Sequence, residues 1–331
     1  LDRYCPARTG FATDAAWEAG RRRLRVAYKV LRRLLRDREA PVRRSAAFAL
    51  GHLGNREAVL ALYDQLIREK HAPTKAALAV ALGRLRYRTA RPLIAGLTWS
   101  ANPVLRAAGI AGLGYLGDPE DVATLRRFLR NPDPGLRRSA AAALGHLGQP
   151  CAVRLIRRLL KDPNPAVQAA AIEALARLDA RGDADAIAAL ADNPAKPVRL
   201  AAVMALRRIG QTRHAPRLRP RLADESEDVA GESALTLAHL GGRLPATRLR
   251  RLLDSRHNAV RLAATRAAGL AGVRAAIPDL APLLTHPHQA LRVAAIRALG
   301  HLVAHQLRDR LLARLREERG APRAALLHTL G

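Results

Sequence analysis

Apolar residues return along this chain at helical spacing, in paired runs. In the stretch PAVQAAAIEALARLD (165–179) the apolar set is Val167, Ala171, Ala174, Leu175 and Leu178. These share one stripe of a helix, because residues three and four apart stack above one another. Just before it, AVRLIRRLLKD (152–162) carries another amphipathic pattern of the same period. Together they predict a helix, a turn and a second helix. The turn chemistry agrees. Asn102-Pro103, Asp133-Pro134 and Asn164-Pro165 each set an N-cap acceptor before a proline at the first helical position. The side-chain oxygen takes an N–H that the helix leaves unpaired, and proline has none to leave.

The pair repeats. ALGHLG ends at Gly54 and Gly148, GLGYLG at Gly117, ALARLD at Asp179, ALRRIG at Gly210, TLAHLG at Gly241, AAGLAG at Gly272 and ALGHLV at Val303. From Gly117 to Val303 every step is 31 residues; the earlier ALGRLR ends at Arg86, and an atypical LLHTLG closes the chain at Gly331. A fixed period of this length, here in about ten copies, marks a solenoid in which each unit stacks on its neighbours. Gly54, Gly117, Gly148, Gly210, Gly241 and Gly272 stand where a left-handed C-cap is expected. Gly51, Gly83, Gly114, Gly145, Gly269 and Gly300 lie inside the second helix. Glycine there costs up to about 1 kcal/mol against alanine, so close helix–helix approach is the expected reason. Arg207 takes this place in the sixth copy, and different packing is expected there.

The motif V-R-x-A-A-x-x-A-L-G-x-L-G, seen as VRRSAAFALGHLG (42–54) and VRLAAVMALRRIG (198–210), resembles the HEAT repeats, specifically the short PBS-lyase-like class. The resemblance covers nearly all of residues 21–331. It implies an all-α fold, a right-handed α-solenoid of about ten helix pairs forming one unit over 21–331, with residues 1–20 as an N-terminal arm or cap. For function it is less specific, because the fold hosts scaffolds, lyases, hydroxylases and nucleic-acid binders. It also implies a role for the second position of the motif, which reads Arg43, Lys75, Arg106, Arg137, Gln168, Arg199, Ala230, Arg261 and Arg292. In HEAT-like folds this side chain packs along the repeat interface and bonds to neighbouring loops, so the ladder is read as structural.

Composition changes the picture through charge. Lys and Arg number 57 against 28 Asp and Glu, a net charge of +29, and only five of the 57 are Lys. A GC-rich genome explains Arg over Lys but not the twofold excess of base over acid. Such a field favours polyanions: nucleic acid, an acidic protein or an anionic membrane surface. The excess is uneven, +8 over residues 1–54 and +11 over 242–331 but only +1 over 180–241. No run of 18 apolar residues is present, so no membrane span is expected. Two cysteines far apart, Cys5 and Cys151, exclude a disulfide scaffold and point to a reducing compartment, the cytoplasm or an organelle matrix. The chain begins at Leu1 without a recognisable signal peptide, which leaves an earlier targeting segment open.

Positions 3, 7 and 11 of the second helix share a face away from the apolar stripe. The resemblance turns that face toward the inner groove. Position 11 reads His52, Arg84, Tyr115, His146, Arg177, Arg208, His239, Leu270 and His301. Position 3 adds Arg44 and Arg138, position 7 adds Phe48, Arg266 and Arg297, and Glu173 is the one acid. A row of donors nearly free of carboxylates suits a phosphate backbone, RNA or DNA. All ten aromatics lie before residue 129, so stacking of unpaired bases falls on the early repeats, with Phe48 and Tyr115 the best placed.

Catalytic readings are thin. No His-Glu dipeptide occurs, which argues against a di-iron hydroxylase of this repeat class. No Asp lies at positions 3, 7 or 11, which argues against a HEAT-like DNA glycosylase. Activity like that of the bilin lyases stays open, although no residue identifies a bilin site. The pairs His286/His288 and His301/His305 lack clustered carboxylates, so neither a metal nor another cofactor is expected. The sequence therefore points to a non-catalytic scaffold whose basic face grips nucleic-acid phosphates. The alternative is an interaction scaffold or assembly subunit for a large acidic protein or complex.

Overall fold

The computed structural model describes residues 28–54, 56–302, 320–322, 324 and 325. The expected arm at 1–20, and Tyr4, Cys5, Phe11, Trp17, His305 and most of the atypical last copy, lie outside the described residues. Residues 28–34 are helical (α1). Second helices follow at regular intervals: α2 (Ala40–Leu53), α4 (Ala72–Arg84), α6 (Pro103–Leu116), α8 (Pro134–Leu147), α10 (Pro165–Arg177), α12 (Lys196–Ile209), α14 (Glu227–His239), α16 (Asn258–Leu270) and α18 (Gln289–His301). First helices alternate with them: α3 (Val59–Arg68), α5 (Arg91–Leu97), α7 (Asp121–Arg126), α9 (Ala152–Arg157), α11 (Ala184–Ala189), α13 (Ala215–Leu218), α15 (Ala246–Leu253) and α17 (Ile277–Leu280). No strand occurs among the described residues, and the fold is an all-α solenoid.

The chain forms two compact units, Leu1–Gln149 and Pro150–Gly331. In the first unit α2, α4, α6 and α8 pack in series, each second helix backed by the first helix before it; α10 to α18 do the same in the second unit. Each core is a periodic row of aliphatics. Leu62, Ile94 and Leu125 on first helices face Leu82, Leu113 and Leu144 on second helices in the first unit, all at 0% exposure. The second unit repeats this with Ile156, Ile187, Leu218, Leu249 and Leu280. Alanines fill the seams and let helix backbones meet. A Cβ at Gly114 would lie 2.5 Å from Ala143 Cα, and one at Gly83 would lie 2.5 Å from the Gly112 carbonyl oxygen. The mid-helix glycines thus return their propensity loss as helix–helix contact.

Most first helices are shorter than the apolar pattern predicts. The stretch 152–162 divides into α9 and a 3₁₀ turn at Arg158–Lys161, and α7, α11, α13 and α17 end the same way. The turn that follows has carbonyls with no helical partner, and the ladder satisfies them. Arg43, Arg137, Arg199 and Arg292 each donate Nη1 to the carbonyls six and five residues back, at 2.7–3.0 Å. Arg43 reaches on to Glu69 in the next repeat, at 2.8 and 2.9 Å, and Arg199 to Asp224, at 2.9 and 3.0 Å. Where Gln168 replaces Arg, its partner is Asn193, whose Nδ2 donates to Gln168 Oε1 at 3.3 Å. The structural reading of the ladder holds at these positions.

A second row escaped the sequence reading. Asp37, Glu69, Ser100, Asn131, Asp162, Asn193, Asp224, Ser255 and His286 each accept from the backbone N–H two residues on, at 2.8–3.2 Å. Side chains of very different chemistry close the same turn. The N-caps behave as expected: Asn102, Asp133 and Asn164 accept from the N–H groups of Val104, Gly135 and Ala166. One glycine departs from expectation. Gly54, Gly117, Gly148, Gly241 and Gly272 have φ between 65° and 78°, but Gly210 is extended at φ −72°. The chain enters the capping turn at Gln211–His214 directly, and a Cβ at Gly210 would meet the Leu206 carbonyl oxygen at 2.3 Å. Close approach, not positive φ, requires the glycine there.

Candidate functional site

The face at positions 3, 7 and 11 is accessible in both units. Arg44, Phe48, His52, Arg138, Arg177, Arg208, His239, Arg266, Arg297 and His301 are exposed, and Arg84, Tyr115 and His146 are half-buried. The two units use the face differently.

In the first unit, residues 31 or 32 apart on α2, α4, α6 and α8 come together as one run. Phe48 and His52 lie one helical turn apart on α2, with ring centroids 4.2 Å apart. From α4, Arg84 meets His52 Nε2 and places its guanidinium 5.8 Å from the Phe48 centroid. The same guanidinium stands 5.0 Å from the ring of Tyr115 on α6. Tyr115 in turn packs on His146 of α8, with centroids 4.4 Å apart. A cation within about 6 Å of a ring face is attracted by its quadrupole, so the run alternates ring and charge. Beside it Gly51, Ala76, Ala77 and Val80 leave a shallow apolar recess. Phe48 is 60% exposed, an open π-face on an otherwise charged surface. Arg44 lies one turn before Phe48 on α2 and Arg138 two turns before His146 on α8, toward the helix N-termini.

In the second unit the cations alternate with aliphatics. His239, Arg266, Arg297 and His301 line a trough of about 830 Å³ whose floor includes Leu235, Leu262, Ala263, Val293 and Ala294. Arg207, in the glycine place of the motif, forms an ion pair with Glu232 at 2.5 Å on the same wall. This is the altered packing expected at the sixth copy. Arg177 and Arg208 are neighbours, Arg208 Nη2 lying 3.5 Å from the Arg177 carbonyl oxygen at the end of α10.

Carboxylates are consumed elsewhere. Asp121 is buried beneath Arg91, with Nη2 at 2.9 Å, and burial pushes its carboxyl up against the pull of that hydrogen bond. Asp183 pairs with Arg157, Asp185 with Arg213 and His214, Asp192 with Arg217, and Asp279 with Arg250. These acids sit on first helices and turns. The ladder holds two more: hydrogen bonds from Arg43 hold Glu69 down at about 2 against its burial. Burial pushes Asp224 up, but Arg199 and the Ser226 N–H outweigh it and leave the carboxyl below its ordinary value. The acids of the near-neutral middle are thus largely paired on first helices and turns, and Glu173 is the one exposed acid among positions 3, 7 and 11 of the described second helices.

Among the described residues no cluster of three or more His, Cys, Asp or Glu fits a metal ion. His286 has a local task, since its Nδ1 accepts the His288 N–H at 3.0 Å. Sequence reasoning also missed the pair of Trp99 and Arg127, 4.4 Å from guanidinium to ring centroid, with Trp99 69% exposed. Their spacing of 28 residues is no multiple of the repeat. No helix among the described residues is long and apolar enough to cross a membrane.

No curated protein matches the sequence. Among solved structures, YibA of E. coli aligns at 18% identity over 74% of this chain and 94% of its own, with TM-score 0.57. A mutant of Kap121p aligns at 13% identity over 91% of this chain and 41% of its own, with TM-score 0.54. The complex of CpcE and CpcF of phycocyanin lyase from Nostoc sp. aligns at 22% identity over 73% and 94%, with TM-score 0.48. The first two of these likenesses are of fold. The model for HEAT repeats matches residues 27–100, 90–176, 127–193, 153–238, 184–263 and 245–331. With that match running from residue 27 to the last residue, the chain belongs to the HEAT-repeat family, as its motif implied.

Proposed function

We propose that this HEAT-repeat scaffold binds single-stranded nucleic acid, non-catalytically, through the second-helix face of its first unit. The observation that carries the reading is the run Phe48–His52–Arg84–Tyr115–His146. It offers rings for bases and cations for phosphates at the spacing of the repeat, on a face cleared of carboxylates. Stacking on an aromatic side chain contributes about 1–3 kcal/mol per base and tolerates any base. Arginine neutralises phosphate and releases counterions. Sequence preference is slight in this arrangement, because charge and π-faces do not read base edges. The test is binding of a labelled oligonucleotide of mixed sequence, RNA and DNA, across a salt series. Affinity falling steeply with salt supports the reading; affinity indifferent to salt defeats it. An acidic protein partner, the second reading, is favoured by a different observation: the trough in the second unit has an apolar floor, which phosphates do not seek.

A further inference from the structure

The trough on α14, α16 and α18 joins two properties that the first unit keeps apart. Its floor is aliphatic, made of Leu235, Leu262, Ala263, Val293 and Ala294. Its rim is cationic, with Arg266 and Arg297 at the same register of neighbouring helices. The one carboxylate in its lining, Glu232, is occupied by Arg207. Among the described residues no acid pairs with Arg266 or Arg297.

That combination selects its occupant. A phosphodiester backbone would leave about five aliphatic side chains facing charge, and burying a charge without partners is costly. An enclosed small-molecule cavity is not the geometry either, because the rim residues Arg266, Leu270, Arg297 and His301 are exposed. A second copy of this chain carries the same +29 and is repelled. What fits is a helix with an apolar face down and carboxylates along its flanks. Size agrees. Three helices side by side at about 8–10 Å spacing give a seat of about 16–20 Å. At 1.5 Å rise per residue that seats a helix of roughly 11–13 residues. A volume of about 830 Å³ accommodates such a helix half-sunk rather than enclosed.

We propose that this trough is a docking site for an acidic amphipathic helix of a partner protein, its leucine-type residues on the aliphatic floor and its carboxylates on Arg266 and Arg297. The site extends the scaffold reading and is independent of the nucleic-acid reading. Helix-in-groove recognition lays the apolar face of an amphipathic helix, with anchors at i, i+3 or i+4, and i+7, into a hydrophobic groove.

The experiment uses the full chain and two labelled probe peptides of the same helical leucine pattern, one flanked by glutamates and one by lysines. The glutamate peptide is expected to bind and the lysine peptide to bind at least tenfold more weakly. In Arg266→Glu/Arg297→Glu the preference inverts, and in Ala294→Trp, which fills the floor, both peptides are lost. Circular dichroism of each variant shows that the helices persist. Arg84→Ala/Tyr115→Ala leaves peptide binding unchanged, and an oligonucleotide does not compete it away. Equal binding of both peptides, no binding of either, or a preference that survives the charge reversal overturns the site. Loss of peptide binding in Arg84→Ala/Tyr115→Ala overturns its independence from the first unit.

Discussion

The first and second units place arginine on the same face of the same helix and surround it differently. Around Arg84 stand Phe48, Tyr115 and the histidines His52 and His146. Around Arg266 and Arg297 stand Leu235, Leu262 and Val293. The backbone repeat, the capped turn and the aliphatic core are common to both. What differs between the two faces is therefore the few side chains at positions 3, 7 and 11, and the charge they share does not distinguish them. A guanidinium beside a ring presents a flat surface that stacks; one beside leucine presents a charge at the edge of an apolar seat.

The sharpest control on that comparison is the ladder, which belongs to neither face. Arg199 and Asp224 are 5% and 2% exposed, so removing Arg199 leaves the buried Asp224 carboxylate with only Arg221, at 3.5 Å, and the Ser226 N–H. Arg199→Ala is expected to cost about 3 kcal/mol of stability, the low end for a broken buried pair, because Arg221 still answers part of the Asp224 charge. Thermal unfolding measures this, and both binding activities of the still-folded protein should persist at low temperature. Arg199→Gln/Asp224→Asn copies the Gln168–Asn193 pair that the molecule already uses. It is expected to recover most of the loss; a double variant as unstable as the single one would show that the ladder is not interchangeable between repeats.

Arg84→Ala/Tyr115→Ala should lower oligonucleotide affinity by about 50-fold, on the scale of a stacked base plus a cation. The melting temperature should move little, because neither side chain is in the core. An equal loss from Arg266→Ala/Arg297→Ala would erase the distinction between the units. A smaller effect refines it further. Removing one phosphate-neutralising cation should reduce the salt slope by about 0.7. Arg84→Ala should therefore flatten the oligonucleotide salt series by that amount, while Arg297→Ala leaves it unchanged.

The smallest effect is in the last turns of the second unit. Burial, then the charges of Arg261, His288 and Arg292, hold His286 below its ordinary 6.5. The folded state thus binds fewer protons than the unfolded one. The stability that His286 contributes is complete above about 6.5 and is lost as pH falls toward its folded value. His286→Asn, the residue at the equivalent turns Asn131 and Asn193, should keep the turn bond and remove this dependence. Melting temperature compared at pH 7.5 and 5.5 checks it; the wild-type protein should lose more on acidification than the variant does.

How much of the fold was legible in the chain follows from which interactions are periodic. The repeat, its N-caps, the close approach at Gly114 and the ladder could be read from the chain because stacked copies must satisfy the same backbone groups each time. The turn row from Asp37 to His286 was hidden, since aspartate, glutamate, serine, asparagine and histidine all close the turn and leave no recurring letter. The shortened first helices were hidden too, because an apolar pattern at helical spacing does not separate an α-helical from a 3₁₀ last turn.

For the site, the sequence alone determined that the second-helix face is cationic and that aromatics belong to the early repeats, both being consequences of period and composition. Tertiary structure decided which cations act together. Arg84 meets two rings and a histidine only because α2, α4 and α6 lie side by side, bringing residues 31 and 32 apart in sequence into contact. The apolar floor beneath Arg266 and Arg297 has the same origin. Leucine at position 3 or 7 reads as an isolated surface aliphatic on one helix and becomes a seat only when three neighbouring helices bring their aliphatics together.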